Sequence, residues 1–129
     1  MLFLILMGTL SVYADRRNYY LRETEYYQKK AENYRREAAY YERKAQGYER
    51  EAEYYIKKAR RYQREAAYYS KKGDLDRANT QSRYARNAMD MAITQQRYAK
   101  DAWDNYRTQM RCAKDSEEKV EMYLLRATQ

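Results

Sequence analysis

Tyrosine recurs at every seventh residue at Tyr20, Tyr27, Tyr34, Tyr41, Tyr48, Tyr55, Tyr62 and Tyr69, and alanine keeps the same period at Ala31, Ala38, Ala45, Ala52, Ala59 and Ala66. Each alanine falls four residues after one tyrosine and three before the next. An alternating step of four and three is the spacing of a coiled-coil seam, with Ala at heptad position a and Tyr at d. No proline and only three glycines interrupt 129 residues, which leaves almost no punctuation for loops or strands. A chain of this length and pattern is expected to form one nearly all-helical domain.

The same frame sorts the remaining positions. Position f, opposite the seam, carries Arg22, Lys29, Arg36, Arg43, Arg50, Lys57, Arg64 and Lys71, a continuous basic stripe. Neighbours on it are about 10 Å apart at the helical rise. Position g alternates Glu23, Lys30, Glu37, Lys44, Glu51, Lys58, Glu65, Lys72, and position c adds Tyr19, Tyr26, Tyr40, Tyr54 and Tyr68, so the full repeat is fourteen residues. Glu25 with Lys29, Glu32 with Arg36 and Glu53 with Lys57 stand four apart, a spacing that adds a few tenths of a kcal/mol per pair to a helix.

Lys71-Lys72-Gly73-Asp74-Leu75-Asp76 breaks the pattern with a glycine suited to a left-handed C-cap and an aspartate suited to an N-cap. Helix one is therefore expected over 15–72, a turn over 73–76 and helix two over 77–129. Beyond the turn the alanines return at Ala78, Ala85, Ala92, Ala99, Ala113 and Ala127, now in position d, while position a reads Leu75, Ser82, Met89, Gln96, Trp103, Met110, Glu117 and Leu124. Reversing a helix exchanges its three- and four-residue steps, so a positions on one antiparallel strand face d positions on the other. Folding about the turn sets Ala66 against Ala78, Ala59 against Ala85, Ala52 against Ala92, Ala45 against Ala99 and Ala31 against Ala113. Between them it sets Tyr62 against Ser82, Tyr55 against Met89, Tyr48 against Gln96, Tyr41 against Trp103 and Tyr27 against Glu117. Ser82, Gln96 and Glu117 then read as partners for tyrosine hydroxyls, and Ile56 with Ile93, Glu49 with Lys100 and Glu42 with Arg107 as flanking pairs. The expected fold is all-α: a long two-helix antiparallel coiled-coil hairpin with alternating Ala/Ala and Tyr/large layers.

Residues 2–10, LFLILMGTL, form a short apolar run, and Val12 and Ala14 fill the small-residue positions before a cut after Ala14. Residues 1–14 thus read as a signal peptide, without the usual basic n-region, or as a short hydrophobic N-terminal segment. The run is too short for an ordinary membrane span, which needs about 20 apolar residues. The expected location is secreted, periplasmic or cell envelope, with membrane anchoring if residues 1–14 are retained. The expected hairpin brings Gln129 opposite Asp15, so it ends where the proposed cut falls.

With no histidine and a single cysteine, Cys112, the chain lacks the residues for zinc constellations, Cys/His nucleophile pairs and internal disulfides. No catalytic, cofactor-binding or metal-ligating residues, no cofactor and no small-molecule substrate are expected, and the chain reads as a non-enzyme. Two functions fit the pattern. The first is a structural or scaffolding coiled coil that self-associates into a homo-oligomer or filament through the surplus c-position tyrosines Tyr19, Tyr26, Tyr40, Tyr54 and Tyr68, since aromatic residues are enriched at interface cores. The alternative is an electrostatic module that lays the f-position stripe on an anionic polymer or membrane surface. The positive field belongs to helix one: 15–72 has 17 basic and 10 acidic residues, whereas 73–129 has 10 and 9. Interleaved Tyr and Arg also suit single-stranded nucleic acid, a partner that an exported destination argues against. Alternating Asp76, Arg83, Asp90, Arg97, Asp104, Arg111 and Glu118 at position b of helix two match either side-by-side charge pairing or simple solvation.

Overall fold

The computed structural model describes the backbone from Leu2 to Gln129 and the side chains from Ser11 onward. The apolar run over 2–10, on which the expected leader rests, therefore lies outside the described side chains. Two helices, α1 (Leu2–Lys71) and α2 (Leu75–Thr128), pack against each other as an all-α antiparallel hairpin. The backbone of α1 is already helical ahead of residue 15, and α2 starts at Leu75 rather than 77.

The link between the helices is short because one residue serves both. Gly73 adopts φ +76°, the left-handed conformation that closes a helix without a Cβ penalty. Its N–H donates to the Ser70 carbonyl at 3.1 Å, and the Asp74 N–H donates to the Tyr69 carbonyl at 2.9 Å. These two bonds form a Schellman motif. The Asp74 carboxylate then accepts from the Arg77 N–H at 3.2 Å while its carbonyl accepts from the Ala78 N–H at 3.0 Å, so Asp74 is also the N-cap of α2.

Contacts group the chain into a unit of Met1–Ala39 with Tyr106–Gln129 and a unit of Tyr40–Asn105 that contains the turn. In the turn-bearing unit the buried residues are alanines: Ala45, Ala52, Ala59 and Ala66 from α1, and Ala78, Ala85, Ala88, Ala92, Ala99 and Ala102 from α2. The other unit buries Ala31, Ala38 and Ala113 with two hydroxyl residues, Thr24 and Ser116. Thr24 occupies an a position in place of alanine, and its hydroxyl is satisfied within the helix by donating to the Tyr20 carbonyl at 2.8 Å. In that unit the C-terminal residues Arg126–Gln129 share an open cleft with Tyr13, Ala14, Arg16 and Arg17, beside the expected position of the chain end.

The small layers follow the heptad frame, but the partners of the tyrosines do not. Helix α2 buries its d and g positions; Ala88, Ala102 and Ser116 are g residues. Position a, expected to fill the large layers, lies on a flank instead, with Leu75 at 65%, Met89 at 37% and Met110 at 40% exposure and Trp103 and Glu117 half-buried. The tyrosines pair on the other side instead. Tyr48 meets Tyr98 with ring centroids 5.4 Å apart and Tyr62 meets Tyr84 at 5.5 Å, in place of Gln96 and Ser82. Packing explains the rotation. Facing alanines let two helices approach within the usual separation of about 8–10 Å, and the small g residues of α2 leave room for a tyrosine ring that the larger a residues do not. The rings of α1 therefore lie over the small g residues of α2, and the a row is displaced to the opposite flank.

Candidate interaction surfaces

The fourteen-residue repeat generates a tyrosine flank from local geometry. Each c-position tyrosine sets its edge against the d-position tyrosine that follows it: Tyr26 on Tyr27, Tyr40 on Tyr41, Tyr54 on Tyr55 and Tyr68 on Tyr69, at centroid distances of 5.1 to 5.4 Å. One turn on, a lysine covers the c ring: Lys30 over Tyr26, Lys44 over Tyr40, Lys58 over Tyr54 and Lys72 over Tyr68. Tyr19, which packs on Tyr20, has Glu23 at that place, and the carboxylate holds its phenol above the ordinary value. Hydrogen bonding to the Tyr26 and Tyr40 hydroxyls raises the amines of Lys30 and Lys44. The five c-position tyrosines remain 43 to 55% exposed.

In the turn-bearing unit this flank holds two grooves of the same design. Tyr41, Lys44 and Tyr48 of α1 face Tyr98, Asp101, Ala102 and Asn105 of α2; fourteen residues along, Tyr55, Lys58 and Tyr62 face Tyr84, Asn87, Ala88 and Met91. In the other unit the heptad counterpart of Tyr84 and Tyr98 is the half-buried Cys112, and the counterpart of Asn105 is Lys119. Lys119 Nζ lies 4.8 Å from the Tyr27 ring centre and donates to its hydroxyl at 3.5 Å. Tyr123 stacks on Tyr27 at 5.7 Å with planes 10° apart and also meets Tyr20.

The opposite flank carries the displaced a row of α2 beside position e of both helices. Trp103 Nε1 donates to Glu49 Oε1 at 2.6 Å, and Glu117 forms an ion pair with Arg35. The heptad spacing sets Trp103 against Tyr41 and Glu117 against Tyr27; in the structure Glu49 and Arg35, both at position e of α1, hold them. Ile93 stays 41% exposed and Ile56 is half-buried. Assigning position a to the core hides this flank; the small g residues Ala88, Ala102 and Ser116 were the available signal that α2 uses d and g.

All eight stripe residues, Arg22, Lys29, Arg36, Arg43, Arg50, Lys57, Arg64 and Lys71, are exposed on α1. Lys29 and Lys57 form ion pairs with Glu25 at 3.4 Å and Glu53 at 3.3 Å. Such exposed pairs contribute little to stability, but they offset part of the stripe's charge locally. Among the described residues no group of acidic or thiol side chains is placed to hold a metal ion, and no helix is long and apolar enough to cross a membrane. No protein family model matches the chain, and neither a curated protein nor a solved structure matches it.

Proposed function

We propose that this chain is a non-enzymatic structural protein that works by self-association, its hairpin serving as the building unit. One observation carries the reading: the described core is alanine with a few hydroxyl residues, no large side chain in it is fully buried, and the large apolar residues lie outward on both flanks. Burial of apolar surface is the main favourable term in folding and association. A seam of methyl groups supplies little of it, so the greater share is left for contact between copies. An exported setting suits such a role and follows from reading residues 1–14 as a leader; a native N-terminus at Asp15, read by mass spectrometry, is the expected result. The tyrosine flank is tested by changing Tyr26, Tyr40 and Tyr54 together to serine and measuring molar mass by light scattering over a hundredfold concentration range. The expected outcome is a lower mass with helical circular dichroism retained; an unchanged mass removes this surface from the interface.

A second reading uses the exposed basic stripe. Eight bases on one face of α1 suit an anionic polymer or lipid surface, with affinity falling as salt rises. Neutralising Arg36, Arg43, Arg50 and Lys57 to glutamine should weaken retention on an anionic support and flatten its salt dependence, and equal retention on anionic and neutral supports argues against it.

A further inference from the structure

We infer that a second copy of this chain docks face to face on the flank that carries Ile56 and Ile93, with a two-fold axis parallel to the helices. Helix α1 of each protomer then lies along α2 of its partner. The inference rests on the self-association reading and names the surface and symmetry of one contact.

The flank is polarised within the turn-bearing unit. Row e of α1 is acidic at Glu42 and Glu49 and row e of α2 is basic at Arg86 and Lys100; Ile56 and Ile93 stand in those same rows, with the exposed Met89 of row a beside them. The Trp103–Glu49 hydrogen bond fixes the side of the hairpin on which the α1 e row lies and holds the Glu49 carboxylate in place. Ile56 follows Glu49 by one heptad toward the turn, and Ile93 stands one heptad from Lys100, also toward the turn. Equal steps make the face complementary to itself. When Ile56 lies against the partner's Ile93, Glu49 meets the partner's Lys100, and the two-fold axis repeats both contacts. The other isologous arrangement, with the axis across the helices, stacks α1 on α1 and α2 on α2 and sets like charges together. Charge therefore selects the arrangement in which α1 meets α2, since like charges facing each other across an interface suppress the wrong pairing. This contact is closed, and it leaves the tyrosine flank of both protomers outward. A second contact through that flank would carry assembly beyond the dimer.

The test is charge reversal with complementation, read as molar mass by light scattering and sedimentation. Glu49→Lys and Lys100→Glu chains, each alone, should weaken association by about tenfold or more, with helical content preserved. In an equimolar mixture of the two, the lysine introduced in one chain faces the glutamate introduced in the other, and the unaltered Glu49 and Lys100 face each other. That mixture should return the wild-type mass, as should a chain carrying both reversals. Ile93→Glu should weaken association with no rescue from either charge variant. A mixture that stays dissociated, or single variants that keep the wild-type mass, overturns this interface. If those variants associate normally while the tyrosine-to-serine chain does not, self-association stands and the contact lies on the other flank. A wild-type chain that stays monomeric at every concentration removes both.

Discussion

Ala59 is wholly buried at 0% exposure in the turn-bearing unit, so a larger side chain there measures how tightly the seam is closed. Replacing it by leucine adds three carbons. Transfer from water alone is worth about 0.8 kcal/mol per buried methylene, so a site with free room would gain roughly 2 kcal/mol. A seam closed alanine against alanine has no such room; forcing the helices apart or the side chain off its rotamer costs typically about 1–3 kcal/mol. The two expectations differ in sign. Urea unfolding of Ala59→Leu beside wild type, at one protein concentration, should show a lower midpoint with an unchanged slope. The control is Gln46→Leu on the exposed face of the same helix, expected within about 0.5 kcal/mol of wild type. A higher midpoint for Ala59→Leu would refute close alanine packing and would point to a seam with space in it.

The glycines should respond oppositely. A Cβ at Gly47 meets its nearest neighbour, Arg50, at 3.9 Å, so Gly47→Ala should stabilise by about 1 kcal/mol. Gly73→Ala places a side chain at φ +76° and should destabilise by about 1 kcal/mol; thermal unfolding of the two variants checks both signs, and equal shifts would discount the turn geometry. Cys112→Tyr should extend the fourteen-residue series of Tyr62–Tyr84 and Tyr48–Tyr98 with a pair to Tyr34, and raise stability by about 0.5–1.5 kcal/mol; an unchanged or lower unfolding midpoint speaks against that repeat. The Lys44 amine is raised above its ordinary value of 10.5, first by hydrogen bonding to the Tyr40 hydroxyl and then by attraction to Tyr40 and Tyr48, against a smaller opposing effect of burial. Because the folded value is the higher one, this contact's contribution is complete below pH 10.5 and is lost as pH rises through the raised value. Following Lys44 by NMR titration, Tyr40→Phe should move its midpoint back toward 10.5, and no movement would exclude the hydroxyl as the cause.

The hairpin was legible in the residue order because its signals are local and periodic. The seven-residue step of Ala and Tyr specifies a helix with one buried stripe. The exchange of alanine from a to d across Gly73 specifies a reversed partner, and Gly73 and Asp74 carry the capping chemistry in their own residue types. The tyrosine row at position c was legible for the same reason, as was the basic stripe at position f. How far α2 is turned about its own axis was not legible, because that angle is set by packing between the helices. Heptad lettering treats a and d as equal halves of a seam, whereas Ala88, Ala102 and Ser116 make d and g the smooth side of α2. The small g residues leave room for a tyrosine ring where a methionine at position a does not. That steric choice pairs Tyr48 with Tyr98 and Tyr62 with Tyr84, sends Trp103 to Glu49, and leaves Met89 and Ile93 on an outward flank. Residue spacing sets which side chains share a face; the distance between backbones decides which of those faces closes.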